Sequence, residues 1–300
     1  MVKVGIISTV KAPLSELRMF VNYHLNIGVD YIVLFFDDPE DEAIEFLSQY
    51  TQVVAVKCSS EYWADRTGER PSSIEHRQMA NVNYGAKYLS RKQCDWLIHI
   101  DSDELVNPLK ELKSVLSKCN SEAVRFALLE AVADKLKHTH IFEPTLFKKK
   151  PNKIQLLLAR IFPCPSAIFD GQYFRGHTRS KMAVRISDKI EKYEIHGAKK
   201  RDGKLVVENT KAIELLHYDC VGIDNWKLKW DRRLDGSGKA IDMRANREKQ
   251  FLLYSKAKAD GENQLSLLYK RMHLLPIRER VLLYIIGLLK QGGVDDKLFE

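Results

Sequence analysis

Two carboxylates one residue apart follow a short apolar run, and they are the side chains best suited to chemistry. The run is Trp96–Ile100; Asp101 and Asp103 come directly after it, with Glu104 beside them. An apolar run of this length predicts a buried strand. Because residues two apart on an extended backbone point the same way, we expect both aspartates on one side.

The predicted position of these carboxylates, the carboxyl end of a strand, is where open α/β sheets bind ligands. Neighbouring carboxylates repel each other unless a cation lies between them, and hard oxygen ligands suit Mg²⁺ or Mn²⁺ bound to phosphate. The alternative is a solvated turn that caps the next helix. However, Asn107 as cap and Pro108 as first helical residue already predict that helix start. We therefore expect a divalent metal that carries a diphosphate.

The elements that must position these residues follow an alternating pattern at the start of the chain. Its strand and helix predictions are Val2–Thr9, Pro13–Ile27, Tyr31–Phe36, Glu40–Gln49 and Val53–Lys57. This β-α-β-α-β order implies right-handed crossovers and a parallel sheet.

The next segment leads into and out of the acidic strand. Glu61–Pro71 is polar and predicts a loop, and a capping box at Ser72–Glu75 predicts a helix that runs to about Ser90. A helix to about Cys119 and a strand at Ala123–Leu129 are expected after the acidic strand.

The rest of the chain predicts a mixed region and then helices. Strand-like runs lie at Met182–Ile186, Lys204–Val207 and Ile213–His217, and the chain reads as helical after Asp224. The predicted fold class is α/β, a doubly wound, mostly parallel mixed sheet flanked by helices, with a helical C-terminal extension. The predicted domains are 1–222, divided into a nucleotide-binding half 1–130 and an acceptor-facing half 131–222, and an extension 223–300.

Composition narrows the class of protein. A chain of 300 residues that is 45% apolar and 29% charged can bury a sizeable core, which argues against global disorder. Its five cysteines are scattered without C-x-x-C spacing, which argues against a disulfide framework or structural zinc. No signal peptide shape appears at the start, and no apolar run has the length of about 18 residues that spans a bilayer. We expect a cytoplasmic protein.

The net charge of +8 favours partners that carry negative charge. Nucleic acid, anionic lipid and phosphorylated substrates all fit a basic chain, but no nucleic-acid-binding module is visible. We therefore expect no nucleic acid partner.

Four stretches in this order resemble the GT-A glycosyltransferases, in particular bacterial members of families 2 and 92. They are Glu16–Phe36 followed by Asp37-Asp38, Gln78–Asn83 (Gln-x-x-x-x-Asn), Trp96–Leu105 with its D-x-D, and His217-Tyr218 followed by Trp226 and Lys229. The resemblance covers about three quarters of the chain.

The resemblance implies a metal-dependent enzyme that moves a sugar from a nucleotide sugar, expected to be a UDP-sugar, to a glycan or lipid-linked acceptor. It implies surface polysaccharide synthesis at the inner face of a bacterial membrane. Asp101 would face the ribose and the metal, Asp103 would bind Mn²⁺ or Mg²⁺ directly, and His217 is the candidate third ligand. The residues that would contact the nucleotide or its diphosphate are Thr9, Lys11, Asp37, Gln78, Asn83, Asp101 and Lys229, with Arg179 and Lys181 as weaker candidates.

The general base that inverting members of the family use does not stand out in the sequence. Four acidic residues of the expected region are candidates, and none lies in a motif: Glu130, Asp134, Glu143 and Asp170. Inversion or retention at the anomeric carbon therefore stays open.

Two other functions also fit a strand that ends in carboxylates. One is a nucleotidyltransferase, although no Gly-rich phosphate loop follows the first strand; the other is a non-catalytic membrane-associated scaffold with the same fold. The apolar run Val281–Leu289 has basic residues on both sides. It predicts a helix that packs on the protein itself or on a second copy in a homodimer, or a helix that lies on an anionic membrane.

Overall fold

The architecture is known from a computed structural model, which describes residues 2–161, 166–237 and 245–300. The chain divides into two compact units that are interleaved in sequence. Unit 1 takes the residues up to Ala127, Arg179–Leu215 and Asp295–Glu300, and unit 2 takes Leu128–Thr178 and Leu216–Val294. The predicted division at residue 222 stays a prediction.

The strands and helices of both units follow in chain order. The strands are β1 Val4–Val10, β2 Tyr31–Phe36, β3 Val53–Lys57, β4 Trp96–His99, β5 Glu104–Pro108, β6 Ala123–Ala131, β7 Leu146–Lys149, β8 Met182–Arg185, β9 Ile190–Glu194, β10 Gly197–Lys200, β11 Val207–His217 and β12 Leu289–Gln291. The helices are α1 Leu14–Asn26, α2 Ala43–Leu47, α3 Ser60–Thr67, α4 Ile74–Arg91, α5 Leu112–Ser117, α6 Lys153–Ile161, α7 Ile223–Leu234, α8 Ala245–Ala259, α9 Glu262–His273 and α10 Ile277–Ile285.

Unit 1 is built on a sheet whose centre is parallel. β1 pairs in parallel with β2 and β4, and β2 pairs in parallel with β3. β8 then runs antiparallel to β4, and the first residues of β6 run antiparallel to β8. The predicted α/β class, a mostly parallel sheet flanked by helices, is confirmed. This order brings the carboxyl ends of β1, β2 and β4 to one edge.

The core of unit 1 explains why its strands are uniformly apolar. Ile7, Val33, Phe35 and Leu97 are buried beneath α4. Gly85 on α4 permits close packing, because an added Cβ would lie 2.8 Å from Ile7 Cδ1. Helices that cover a parallel sheet in this way make both of its faces apolar.

Four local predictions were wrong. Residues 60–67 form α3 rather than a loop, because Ser59 caps the helix and Tyr62 and Trp63 enter the core. Asn107 and Pro108 lie in β5 rather than at a helix start, since Leu105 and Val106 are fully buried. The N-cap of α4 is Ser73, one residue later than predicted. Lys204–Val206 precede β11, which begins at Val207.

The last residues of the chain complete unit 1 next to α1. A 3-10 helix at Asp296–Phe299 packs there, and the Asn22 amide donates to the carbonyl oxygens of Phe299 at 3.0 Å and Glu300 at 3.1 Å. The Tyr23 ring lies 5.7 Å from that of Phe299.

Unit 2 has two apolar clusters. In one, Trp226 and Trp230 of α7 pack against Tyr254 and Tyr269 of α8 and α9. In the other, Ala159 of α6 and Leu283 of α10 are buried in the same cluster. The long helices after Ile223 agree with the helical extension predicted from the sequence. However, α10 ends at Ile285, and the chain then forms β12.

Paired strands join α6 and α10. β7, just before α6, runs antiparallel to β12, just after α10. Gly287, at φ +72°, ends α10, and the next amide, Leu288 N–H, donates back to the Leu283 carbonyl at 2.8 Å. A residue in this conformation at a helix end is usually glycine. Among the described residues, no helix has both the length and the apolar character needed to cross a bilayer.

Candidate functional site

The acidic turn of unit 1 lies between β4 and β5. β4 ends at His99, so Asp101 and Asp103 lie in a turn and the expected strand alternation does not apply to them. Glu104 begins β5, is fully buried, and accepts the Asp101 N–H at 2.9 Å. The Glu104 N–H donates to the Asp101 carbonyl at 3.0 Å. Glu104 therefore fixes the shape of the turn.

A buried lysine neutralises part of this acidic turn. The Lys181 Nζ lies 2.9 Å from Asp101 Oδ2 and 3.5 Å from Glu104 Oε2, and the lysine side chain is fully buried. Burial alone lowers the pKa of Lys181, but attraction to Asp101 and Glu104 outweighs it and raises the pKa. The ammonium group thus stays charged, and the Asp101–Lys181 pair is a fixed feature of the site.

Gln78 completes the set around Asp101. Its Nε2 on α4 donates to Asp101 Oδ1 at 2.5 Å, so the structure brings together these two predicted site residues. Asn83, five residues along, has different partners: it donates to the Tyr193 carbonyl at 2.8 Å and accepts the Tyr193 N–H at 2.9 Å. These two bonds hold β9 against α4.

His99, the last residue of β4, is buried beside this cluster. Burial, reinforced by the Lys181 charge, lowers the pKa of His99 to about 4. The imidazole is therefore neutral at physiological pH.

The ends of β1 and β2 carry the other predicted nucleotide residues. Thr9 accepts a hydrogen bond from the Asn81 amide at 2.9 Å, and Lys11 is exposed just beyond β1. Asp37, just after β2, binds two guanidinium groups: Arg77 Nε lies 2.8 Å from Oδ1, and Arg70 Nη2 lies 2.9 Å from Oδ2. The Arg77 side chain is 1% exposed, whereas that of Arg70 is 44% exposed. The sequence did not indicate either arginine.

Unit 2 carries a second charged cluster at the end of β11. His217 is the last residue of that strand, and Asp219, two residues on, is completely buried. The Asp219 carboxylate binds the Lys229 ammonium and, at 2.8 Å, the Arg247 guanidinium. Burial opposes the negative charge, but Lys229, Arg247 and His217 outweigh it and hold the pKa of Asp219 well below its usual value.

Gly176 gives His217 and Asp219 their space. A Cβ at residue 176 would lie 2.5 Å from His217 Cε1 and 3.2 Å from Asp219 Oδ2. The neighbouring His177 ring stacks on the His217 ring, with 4.4 Å between centroids. The sequence predicted His217 and Lys229 but missed Asp219, although its place two residues after His217 is a signal of the kind used for Asp101 and Asp103.

Each unit by itself offers atoms that fit a divalent metal. Unit 1 supplies the carboxylates of Asp101 and Asp103 in a turn that a buried cation has ordered. Unit 2 supplies the imidazole of His217, whereas its Asp219 carboxylate is already engaged by Lys229 and Arg247. Oxygen ligands suit Mg²⁺ and Mn²⁺, and Mn²⁺ also accepts imidazole nitrogen.

The candidate general bases are all engaged. Glu130 accepts the N–H groups of Arg175 at 2.8 Å and Gly176 at 2.7 Å, and it is buried. The Lys135 ion pair and the Thr139 N–H lower the pKa of Glu143 to about 2, a weak base at neutral pH. Asp134 lies 3.8 Å from Arg280, and Asp170 lies 2.5 Å from Lys249.

Comparison with known proteins gives one family. The sequence matches glycosyltransferase family 92 over residues 5–250. No curated protein matches the chain.

Among solved structures, HddC from Yersinia pseudotuberculosis has a TM-score of 0.39 at 14% identity, covering 76% of this chain and 97% of its own. Residues 1–349 of TarS from S. aureus have a TM-score of 0.37 at 12% identity, covering 93% and 83%. The glucosyl-3-phosphoglycerate synthase of Mycobacterium tuberculosis, solved with phosphoglyceric acid, has a TM-score of 0.31 at 14% identity, covering 61% and 56%.

Proposed function

Because the chain belongs to glycosyltransferase family 92, we propose that it transfers a sugar from a UDP-sugar to a glycan or lipid-linked acceptor with the help of Mn²⁺ or Mg²⁺. The resemblance to glycosyltransferase family 92 and the enzyme class predicted from the sequence are confirmed. Donor, acceptor, metal and pathway are the parts that we propose.

The observation that carries the proposal is the ordered acidic turn at the edge of the parallel sheet. Lys181 and Gln78 hold the two oxygens of Asp101, and Glu104 holds its backbone. A turn held from three directions keeps the Asp101 carboxylate in place without a ligand, as a preorganised binding site requires. Its position at the carboxyl ends of the strands supports a ligand site rather than a solvated turn.

The residues of unit 1 that would hold the metal are the two aspartates predicted from the sequence, Asp101 and Asp103. A divalent ion supplies charge neutralisation for a diphosphate leaving group. The chain contributes a buried ammonium, Lys181, which limits the repulsion between Asp101 and Glu104. Lys181 thus acts as a positioning residue in this proposal rather than as a diphosphate contact.

For nucleotide binding, we propose a role for Asp37 that differs from the one the resemblance implied. Both carboxylate oxygens of Asp37 already bind arginines, so we assign Asp37 the role of holding Arg70 rather than contacting the base itself. Arg70 offers N–H donors at the surface, and a guanidinium suits the carbonyl oxygens of a base or a phosphate. Thr9 is held in the same region by Asn81. Lys11 stays a proposed contact to the ribose or the base.

The acceptor and the place of action remain as the resemblance implied. A glycan or lipid-linked acceptor at the inner face of a bacterial membrane, in surface polysaccharide synthesis, is consistent with a basic chain of net charge +8. Membership of a glycosyltransferase family favours sugar transfer over the alternatives of nucleotidyl transfer and a non-catalytic scaffold.

The deciding experiment measures UDP binding by thermal shift with and without Mn²⁺, together with release of UDP from UDP-sugars. UDP at about 100 times its dissociation constant should stabilise the intact protein by about 2.7 kcal/mol. Asp103→Asn should abolish the Mn²⁺-dependent part of this shift and sugar transfer, since it removes one negative charge from the turn. Asp188→Asn, which changes an exposed aspartate of unit 1, is the matched control.

Two outcomes would contradict the proposal. If Asp103→Asn turns over at the rate of the unmodified protein, the acidic turn is not the metal site. If UDP binds equally well without Mn²⁺ and in the presence of a chelator, the turn does not use a metal to bind the diphosphate.

A further inference from the structure

Two short helices of unit 2 carry an unusual share of the exposed apolar side chains. Across the residues that the structure describes, fourteen large apolar side chains are exposed, and seven of these lie on α6 and α10. Each of the two helices has nine residues. Such a concentration differs from the single apolar residues scattered over ordinary surfaces.

On each helix the exposed apolar residues form a stripe. On α10 the stripe follows the spacing i, i+4, i+7, i+8, and on α6 it follows i, i+3, i+7, which places each set on one helix face. Their exposed fractions lie between 53% and 74%. The members are Ile277, Val281, Tyr284 and Ile285 on α10 and Ile154, Leu157 and Ile161 on α6.

The inward face of α10 is also apolar. Leu283 is fully buried in the cluster that includes Ala159 of α6, and Ile286 packs against the same cluster. The helix therefore needs only its inner face to be held in unit 2. The inner face of α10 thus accounts for the predicted packing on the protein itself. The outer stripe is not part of that core and can contact an external partner.

The stripe of α6 begins close to the point where the stripe of α10 ends. The Gln155 side chain of α6 donates to the Ile286 carbonyl at the end of α10, at 3.0 Å. The antiparallel pairing of β7 and β12 fixes this junction from below, where Lys149 N–H donates to the Leu288 carbonyl at 2.9 Å. Ile154 and Ile285 are the sequence neighbours of the two bonded residues, so the stripes adjoin at this contact, and we call the seven exposed residues together the α6–α10 surface.

The charge around the α6–α10 surface identifies its partner. Lys153 and Arg278 are exposed on the two helices, and Lys150 is exposed just before α6. The sequence of α6 contains no acidic residue, and the one acidic residue of α10, Glu279, is buried and accepts the Ala167 N–H at 2.8 Å. An apolar stripe on helices that themselves expose basic but no acidic side chains fits an anionic bilayer.

The same charges disfavour a second copy of the chain. A two-fold interface brings the same patch of both subunits together, so basic residues of one subunit would face basic residues of the other. We infer that the α6–α10 surface docks on an anionic lipid bilayer, with both helices lying in the interface and their apolar stripes inserted. This inference does not depend on the metal or on the nucleotide.

The experiment is flotation of the full chain with vesicles of phosphatidylcholine and phosphatidylglycerol at low salt. Leu157→Asn with Ile161→Asn on α6, and separately Val281→Asn with Ile285→Asn on α10, should each lower the partition coefficient at least about tenfold. The matched control is Leu252→Asn with Leu267→Asn, two exposed leucines on α8 and α9 of the same unit, which should leave binding unchanged. Pure phosphatidylcholine vesicles should bind more weakly than the anionic ones, because the basic residues then have no partner.

Several results would overturn the inference. One is an unmodified chain that fails to float with anionic vesicles. A second is a control that loses as much binding as the α6 and α10 variants. A third is sedimentation velocity that shows a dimer which the same substitutions dissociate, because then a second copy covers the surface. Circular dichroism of each variant shows whether the fold is kept, and a variant that unfolds is replaced by Ile154→Gln or Tyr284→Gln.

Discussion

The charged cluster of each unit contains one buried ion that pairs with two groups of opposite charge, and the sign of that buried ion differs between the units. In unit 1 a single buried cation, Lys181, serves two carboxylates, Asp101 and Glu104. In unit 2 a single buried carboxylate, Asp219, serves two cations, Lys229 and Arg247. The first arrangement leaves excess negative charge and suits a cation, whereas the second leaves excess positive charge and suits an anion.

Exposure separates the clusters further. The Asp101 side chain is 29% exposed, so water and ligands can reach its oxygens. Asp219 is 0% exposed, while its cations are partly exposed. In each case the shared counter-ion lies inside, and the exposed charge belongs to Asp101 in unit 1 and to Lys229 and Arg247 in unit 2. An inner ion of one sign thus orders outer groups of the other sign for binding.

The largest expected effect comes from removing the buried cation of unit 1, Lys181. Lys181→Met leaves Glu104 buried without its cation, and breaking a buried pair costs about 3–5 kcal/mol. Urea denaturation should show this loss, and sugar transfer should fall with it. Adding Glu104→Gln to Lys181→Met should recover part of the stability, because it removes the uncompensated charge. A loss below about 1 kcal/mol for Lys181→Met would mean that the ion pair does not organise the turn.

The next largest effect is the pH dependence of stability that arises from a buried histidine beside each cluster. Burial lowers the pKa of His99 to about 4 and that of His273, which lines a small polar cavity with Asp219, to about 3. His24 behaves likewise, with a pKa of about 3. Below the ordinary pKa of about 6.5, the unfolded state binds protons that the folded state does not, so stability falls as the pH falls.

Acidification from about pH 7 to pH 5 should therefore cost about 2 kcal/mol for each buried histidine. Hydrogen exchange followed separately in β4 and in α9 should show losses in both units. His99→Gln should flatten the response of β4 more than that of α9. A pH-independent stability over this range would show that the three histidines are hydrated rather than buried.

The smallest expected effect comes from neutralising the buried carboxylate of unit 2, Asp219. Asp219→Asn leaves Lys229 and Arg247 without a carboxylate, but both are partly exposed and can bind water instead. We expect a loss of about 1–3 kcal/mol, less than for Lys181→Met. Asp170→Asn, which removes an exposed partner of Lys249, is the matched control and should cost almost nothing. A larger loss for Asp219→Asn than for Lys181→Met would reverse the comparison.

The sequence predicted what depends on local pattern. Apolar runs located β1, β2, β3 and β4, and the acidic residues after Ile100 located the edge of the sheet. It failed where a distant contact decides the structure. Asn107-Pro108 has the form of a helix start, yet burial of Leu105 and Val106 makes it part of β5.

The pairing of charges within the two clusters was missed for the same reason. Lys181 lies 80 residues from Asp101 in the chain, and Arg247 lies 28 residues from Asp219. Nothing local marks Lys181 as buried, because lysine is almost never buried without a partner and its partner is remote. Arg70 and Arg77, which hold Asp37, were hidden by the same long separation.

The packing of the last residues on α1 also has a consequence for the time course of synthesis. Asn22 and Phe299 are 277 residues apart in the chain. At a translation rate of about 5–20 residues per second, α1 leaves the ribosome about 15–55 seconds before the segment that covers Asn22 is made. The surface of α1 that bears Asn22 and Tyr23 therefore stays uncovered, and accessible to chaperones, while the residues of unit 2 are synthesised. Translation speed, as well as thermodynamics, sets how long this enzyme is vulnerable to aggregation.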